Sequence, residues 1–283
     1  MNQQDVLAGV VTYYPEKERL LENLSELIRQ VDKIFIVDNG SENLSEMLES
    51  FPKEITSHLS VFYNEENLGI AQALANIMEY AKEQGFQWVL TLDQDSVIEP
   101  ELVNRYCVAA NLESCQDVGM FTCLIKDRNF EDAKYEQQDV EILDVPYCIT
   151  SAAFTSVEKY FETSGYDEKF FIDCVDFDIC YLLIEQGYRI ARINYVGLYH
   201  EVGHGENRMF LGKQIVVYHH NPIRIYYLTR NTVWMHKKHP QVYTLAVTIK
   251  KLLAIFIRIV LYEKDKKEKI NKFFKALADL KSY

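Results

Sequence analysis

Glycine and proline are scarce, at 11 and 6 residues in a chain of 283, which excludes a collagen-like or low-complexity disordered protein. The six cysteines, Cys107, Cys115, Cys123, Cys148, Cys174 and Cys180, form no Cys-x-x-Cys pair and lie mostly in apolar surroundings. They read as reduced buried thiols rather than as a zinc site or a disulfide framework. No basic-then-apolar leader precedes the first strand-like run, so no signal peptide is expected. There is no internal repeat. The most apolar segment, from Val242 to Val260, is interrupted by Lys250, Lys251 and Arg258, which argues against a membrane-spanning helix.

What is present is ordinary for a folded domain: 48% hydrophobic and 25% charged residues. The length suits one large domain or one domain with an appendage. The net charge of −12 is unevenly spread. Residues 219–283 carry 14 Lys and Arg against 4 Asp and Glu, while the rest carries 16 against 38. The acidic body argues against a nucleic-acid partner. The basic tail points to an anionic surface, with membrane lipid the leading candidate.

The first 125 residues alternate strand-like and helix-like segments. Val6–Thr12 reads as a buried strand, and Leu20, Leu21, Leu24, Leu27 and Ile28 form a helical stripe. Ile34–Val37 is a strand ending at the turn Asp38-Asn39-Gly40-Ser41. Leu59–Tyr63 is a strand, Ile70–Gln84 a helix and Trp88–Leu92 a strand. This order implies a Rossmann-like α/β fold, a mostly parallel sheet with helices on both faces. Right-handed crossovers place the polar strand ends Thr12, Asp38, Asn64 and Asp93 along one rim. Further on, a strand is expected over 140–149, short helices over 156–164 and 175–186, a strand over 189–199 and a loop over 200–212. From Gln214 the chain reads as a helical extension. The expected division is residues 1–213 for ligand binding and chemistry, and 214–283 for association with a membrane surface.

Asp93-Gln94-Asp95-Ser96 ends the apolar run Trp88–Leu92. Two acids one residue apart at the carboxyl end of a strand lie where open α/β sheets bind ligands. Such hard oxygen donors hold Mg²⁺ or Mn²⁺ together with substrate phosphates. The same residues also suit an acidic turn that caps a following helix. Asp173, Asp176 and Asp178 open a helical stretch, where acids are favoured by the helix dipole and where a general base also fits. In the tail, Val242, Leu245, Ala246, Ile249, Leu252, Leu253, Phe256, Ile257 and Val260 share one helical face. The stripe suits an amphipathic helix in the membrane interface or one packed on the protein's own core. The basic cluster Lys264, Lys266, Lys267, Lys269 and Lys272 favours the membrane.

Val10-Val11-Thr12-Tyr13, Val37-Asp38-Asn39-Gly40-Ser41, Asn67-Leu68-Gly69-Ile70-Ala71 and Leu92-Asp93-Gln94-Asp95-Ser96 occur in that order, followed by Phe170–Asp173, Asp176–Cys180, Gly187, His200 and Arg224-x-Tyr226-Tyr227-x-x-Arg230-Asn231. Together, over roughly residues 6–235, they resemble family 2 glycosyltransferases, and within them the bacterial rhamnosyltransferase branch. The resemblance implies a GT-A fold and an inverting, metal-dependent transfer from a nucleotide sugar. L-Rhamnose from dTDP-β-L-rhamnose is the expected donor group, and a lipid-linked saccharide of a bacterial surface polysaccharide the acceptor. It places the protein in the cytoplasm, peripheral at the inner face of the cell membrane. UDP-galactofuranose or UDP-glucose is the alternative donor, and an inactive nucleotide-sugar-binding protein the non-enzymatic alternative. Oligomeric state is left open.

By the same resemblance Thr12, Asn67, Gly69, Asp93 and Gln94 line the donor site, with Asp93 on the ribose; simple capping of the following helix is the other reading of Asn67 and Gly69. Asp38 meets the N–H of the base; a turn-forming role is the other reading of that residue. Asp95 and His200 hold the metal, with His204 as a substitute. Asp176 is the general base and Asp173 the runner-up. Arg224 and Arg230 face the acceptor or the diphosphate, or lie on a helix packed against the sheet. The chain departs from the family pattern at Tyr181 and Leu182, where an Arg usually follows the Cys. A nucleotidyltransferase would need a phosphate loop after the first strand, and Thr12-Tyr13-Tyr14-Pro15 is not one.

Overall fold

The computed structural model describes residues 3–127, 141–200, 206–210 and 212–280. Contacts between Cα atoms divide the chain into two compact units: Met1–Lys169 with Asp176–Glu201, and Phe170–Val175 with Val202–Tyr283.

The first unit begins with β1 (Val6–Thr12), α1 (Lys17–Leu27), β2 (Lys33–Asp38), α2 (Leu44–Glu49), α3 (Lys53–Thr56), β3 (Leu59–Tyr63), α4 (Ile70–Glu83) and β4 (Trp88–Asp93). It continues with β5 (Val97–Ile98), α5 (Leu102–Ala110), β6 (Val118–Asp127), β7 (Ile142–Asp144), β8 (Ala153–Ser156) and α6 (Val157–Phe161). α7 (Val175–Glu185) and β9 (Arg189–His200) complete it. The sheet order is β3-β2-β1-β4-β8-β6-β9-β5, with β7 paired to β9.

β1 to β4 are parallel neighbours, in register Thr12 with Asp38, Asp38 with Tyr63 and Val11 with Asp93. Their carboxyl ends therefore form one rim. Beyond β4 the sheet is mixed: β4 and β6 pair antiparallel with β8, while β6 and β9 are parallel. Parallel pairing thus covers the first four strands and the β6–β9 pair, and the pairings of β8, β5 and β7 are antiparallel. β1 and β2 are apolar runs because both faces of a parallel sheet are covered. α1 packs Leu20, Leu24 and Leu27 into the core beside Ile34 and Ile36 of β2. On the other face, a Cβ at Gly9 of β1 would lie 2.4 Å from Ile77 Cγ2 of α4, so the helix rests directly on the strand's backbone. Trp88 and Tyr106 stack on Phe154 at 4.8 and 5.0 Å.

The second unit holds β10 (Glu206–Phe210), β11 (Lys213–Val217), α8 (Pro222–Lys238), α9 (Leu245–Leu261) and α10 (Lys266–Asp279). β10 and β11 form an antiparallel hairpin. It stands where a loop and the start of a helix were expected. The strand expected over 140–149 is confined to β7 in the described residues, because the chain then turns away through Val145–Ser151. The three helices pack around Ile225, Ile255, Ile259 and Phe273. Lys269, expected on the basic surface, is instead buried with its ammonium 2.8 Å from Glu263.

Candidate active site

At the rim, Asp38 is buried at the end of β2. Its Oδ1 accepts from the hydroxyls of Thr12 and Ser41, each at 2.7 Å, and its Oδ2 accepts from the Ser41 amide at 2.6 Å. These are the bonds of the turn-forming reading. The Ser41 hydroxyl oxygen also accepts from the Tyr14 amide at 2.7 Å, while Tyr14 adopts φ +46°. The Gln94 amide pairs with the Tyr13 backbone in both directions, accepting from its N–H at 2.8 Å and donating to its carbonyl at 3.3 Å. The loops after β1, β2 and β4 are thus tied together side by side. The rings of Tyr13 and Tyr14 stay exposed, edge to face at 4.9 Å. Motif matching gave Tyr13 and Tyr14 no role; their exposure at a strand end becomes visible only in the fold.

A polar chain continues across the rim. Asn64 donates to Asn39 Oδ1 at 3.0 Å, Asn39 donates to the Gly69 carbonyl at 3.2 Å, and the Gly69 amide donates to Asn67 at 2.9 Å. Gly69 has φ +88° and opens α4 without a side-chain cap. Glycine is the residue that adopts this backbone without strain. The first amides of α4 therefore remain open to an anionic ligand.

The acidic turn leads into the short strand β5, not a helix, so the capping alternative for Asp95 and Ser96 does not apply. The turn is braced from within. Asn23 of α1 donates to the carbonyls of Asp93 and Ser96 at 3.0 and 2.6 Å, and the hydroxyls of Ser96 and Ser151 are 2.8 Å apart. Asp93, Gln94 and Asp95 are half-buried, and the Asp95 carboxylate has no hydrogen-bond partner among the described residues. Two hard carboxylates held this way fit Mg²⁺ or Mn²⁺. Among the described residues no group of three His, Cys, Asp or Glu converges, so an ion here would complete its shell with water and substrate oxygens. The His200 side chain and His204 lie outside the described residues.

The second unit contains the turn before α7. Phe171, Asp173 and Cys174 take φ of +60°, +65° and +68°, conformations costly for side-chain-bearing residues. The fully buried Asn231 of α8 holds it. Its Nδ2 donates to the carbonyls of Phe170, Ile172 and Asp173 at 2.9, 2.7 and 2.9 Å. Its Oδ1 accepts from Arg230 Nη2 at 3.0 Å, and Arg230 also reaches the Phe170 carbonyl at 3.3 Å. The buried Arg230 guanidinium lies 4.6 and 4.2 Å from the rings of Tyr227 and Trp234, and Phe171 stacks on Tyr227 at 4.6 Å. Arg224 binds both carboxylate oxygens of Asp173, at 3.0 and 3.2 Å.

The Tyr-Tyr-x-x-Arg-Asn motif thus grips the Phe170–Asp173 turn. Asn231, the centre of that grip, is part of the sequence motif but carries no assigned role there, because the arginines draw the phosphate reading. The nearby His220 imidazole is pushed down to about 4 by burial, with the Arg224 cation adding to the effect.

In the first unit, Asp176 is half-buried in the opening turn of α7, its Oδ1 accepting from the Phe177 amide at 3.0 Å. Asp178 is buried. Tyr181 is buried as well.

The chain is 24% identical over 279 residues to the dTDP-rhamnosyl transferase RfbF of Shigella flexneri, covering 94% of this chain and 91% of that one. Among solved structures it superposes on residues 1–349 of S. aureus TarS with a TM-score of 0.63 at 14% identity, covering 99% and 82% of the two chains. On GalNAc-T7, solved with UDP, GalNAc and Mn²⁺, the TM-score is 0.62 at 16% identity, with 98% of this chain spanning 57% of that one. These two likenesses establish the GT-A fold. Residues 10–160, more than half of the chain, match the model of glycosyl transferase family 2, and the chain belongs to that family.

Proposed function

We propose that this enzyme transfers L-rhamnose from dTDP-β-L-rhamnose, with inversion, to a lipid-linked acceptor in bacterial surface polysaccharide synthesis. The observation that carries the reading of the site is the braced rim, where Thr12 and the Asp93-Gln94-Asp95 turn stand at the ends of adjacent parallel strands and Gly69, opening α4, is tied in through Asn39. The donor assignment draws support from the near full-length similarity to a dTDP-rhamnosyl transferase. A UDP-sugar is the second reading, favoured by the fold shared with a structure holding UDP.

Donor binding and catalysis belong to residues 1–213 in this account. The open amides of α4 beside Gly69 approach the diphosphate, Asp93 meets the donor ribose, and Asp95, with His200, would hold Mg²⁺ or Mn²⁺. When bound there, such an ion would offset the negative charge that develops on the departing diphosphate. Asp176 takes the proton from the acceptor hydroxyl. The new C–O bond then forms on the face of the anomeric carbon opposite the breaking bond to phosphate. Arg224 holds Asp173 in an ion pair, which leaves Asp176 as the base. The working place is the cytoplasmic side of the cell membrane.

Thermal shift of the full chain against dTDP-rhamnose, UDP-galactofuranose, UDP-glucose and the free nucleotides, each with Mg²⁺ or Mn²⁺, tests the donor. The true donor stabilises the fold by mass action, by about 2.7 kcal/mol at a hundredfold excess over Kd, and so raises the midpoint. Stabilisation by a UDP-sugar and none by dTDP-rhamnose overturns the rhamnose assignment. No response to any nucleotide sugar overturns the site. Nucleotide-sugar binding without turnover on any acceptor leaves the inactive alternative.

A further inference from the structure

α9 is largely apolar, interrupted by Lys250, Lys251 and Arg258, yet only one of its apolar sides is covered. Thr248, Leu252, Ile255 and Ile259 face inward, where Ile225 and Leu228 of α8 and Ile270 and Phe273 of α10 meet them. On the opposite side Ile249 and Leu253 are 48% and 55% exposed, and Ile257 and Val260 continue the stripe. An exposed apolar stripe flanked by basic residues on a helix marks a surface that meets an apolar or interfacial partner. At 17 residues, α9 is about 25 Å long. No described helix is long and apolar enough to cross a membrane.

Beside the stripe runs a groove of about 530 Å³, lined by Ile215 of β11, Ile249, Leu253, Ile257 and Tyr262, with Lys250 and Arg258 among its walls. Arg258 Nε is buried and has no hydrogen-bond partner among the described residues. An unpaired buried donor on a cation is costly, and a phosphate oxygen would satisfy it. Beyond the end of α9, Lys264, Lys266 and Lys267 are exposed.

We infer that the outward face of α9 docks onto an anionic phospholipid bilayer, the helix lying along the interface. One acyl chain enters the groove, and the lipid phosphate meets Arg258 and Lys250. Charge selects this occupant over an apolar protein partner. The acidic body is repelled by an anionic surface while the basic tail is drawn to it. The sequence stripe admitted either membrane or core. The fold divides it, giving Leu252 and Phe256 to the protein's own bundle and Ile249, Leu253, Ile257 and Val260 to the lipid.

Vesicle co-sedimentation of the full chain tests this without any turnover, so its failure is separate from failure of the transferase reading. The probes are phosphatidylcholine vesicles with and without phosphatidylglycerol. Wild type is expected to bind the anionic vesicles, less at high salt, and neutral ones at least about tenfold more weakly. The double variant Leu253→Glu/Ile257→Glu, both positions exposed, should lose about tenfold or more of that binding with an unchanged melting temperature. Lys264→Glu/Lys266→Glu/Lys267→Glu should lose binding while the apolar face stays intact. Absence of wild-type binding to anionic vesicles overturns the proposal, as does full binding by the Leu253/Ile257 variant. A concentration-dependent dimer that this variant dissolves, without vesicle binding by wild type, makes the face a contact between two copies instead.

Discussion

Lys269 Nζ lies 2.8 Å from Glu263 Oε2, with both side chains only 2% exposed. Such a pair contributes little net stability when complete but is costly to break, because the surviving charge is left buried. Lys269→Met and Glu263→Gln should each destabilise the protein by about 3–5 kcal/mol in urea unfolding. The double variant Lys269→Met/Glu263→Leu should lose less than either single change. Additive losses would show that the two groups do not act as a pair.

Asn231→Ala removes a buried amide that donates to three carbonyls of one turn. A loss of about 2–4 kcal/mol in stability is expected, summing modest net hydrogen bonds and unsatisfied acceptors. The turn runs directly into α7, so kcat should fall by about a hundredfold with donor affinity held, as misplacement of a reacting group predicts. Calorimetric donor titration beside steady-state kinetics separates the two effects. Unchanged kcat would leave Asn231 a stabilising residue alone.

Asp95→Asn should abolish metal-dependent nucleotide binding while the melting temperature holds, since the carboxylate has no hydrogen-bond partner among the described residues. Isothermal titration with and without Mn²⁺ reads this directly. Full transfer by the wild type in excess chelator would reject metal dependence itself.

For the base, Asp176→Asn should bind donor normally and lose about 10²–10⁴-fold in kcat. Asp173→Asn should cost less in rate, its carboxylate already engaged by Arg224. Asp178→Asn, at a buried position, should lower stability more than rate. An essential Asp173 with a dispensable Asp176 would reverse the assignment.

His220 carries the pH prediction. Its folded value is lowered from 6.5 to about 4, so the unfolded chain takes up the proton first as pH falls. Stability contributed by the neutral ring is complete above pH 6.5 and is lost progressively as the pH approaches 4. Melting temperatures measured across that window should fall more steeply for the wild type than for His220→Gln. Parallel profiles would remove His220 from the linkage.

Much of the first unit was legible in the sequence, for a physical reason. Val6–Thr12, Lys33–Asp38 and Trp88–Asp93 are buried on both faces, so each appears as an apolar run stopped by polar residues. The hairpin Glu206–Phe210 with Lys213–Val217 was not legible. Its first strand is largely exposed and polar, and solvent-facing strands lack the apolar signature. The turn around Asp173 was hidden for another reason. Its three left-handed residues are Phe, Asp and Cys rather than glycine, and the force holding them comes from Asn231, some 60 positions away in the chain. The two readings of Asp38 differ only in the direction of its bonds, which spacing cannot supply. Burial of Lys269 likewise depends on an acid from the preceding segment.

The contact between Gly9 and Ile77 constrains how this scaffold can change its ligand. α4 sits on β1 with no room for a methyl group at position 9, so the helix can neither press closer nor slide past Ile77 without unseating the strand. Any lengthening of the 64–69 loop must be absorbed within that loop. At the proposed site, donor preference is therefore open to change through side-chain replacement at the rim, but not through relocation of α4.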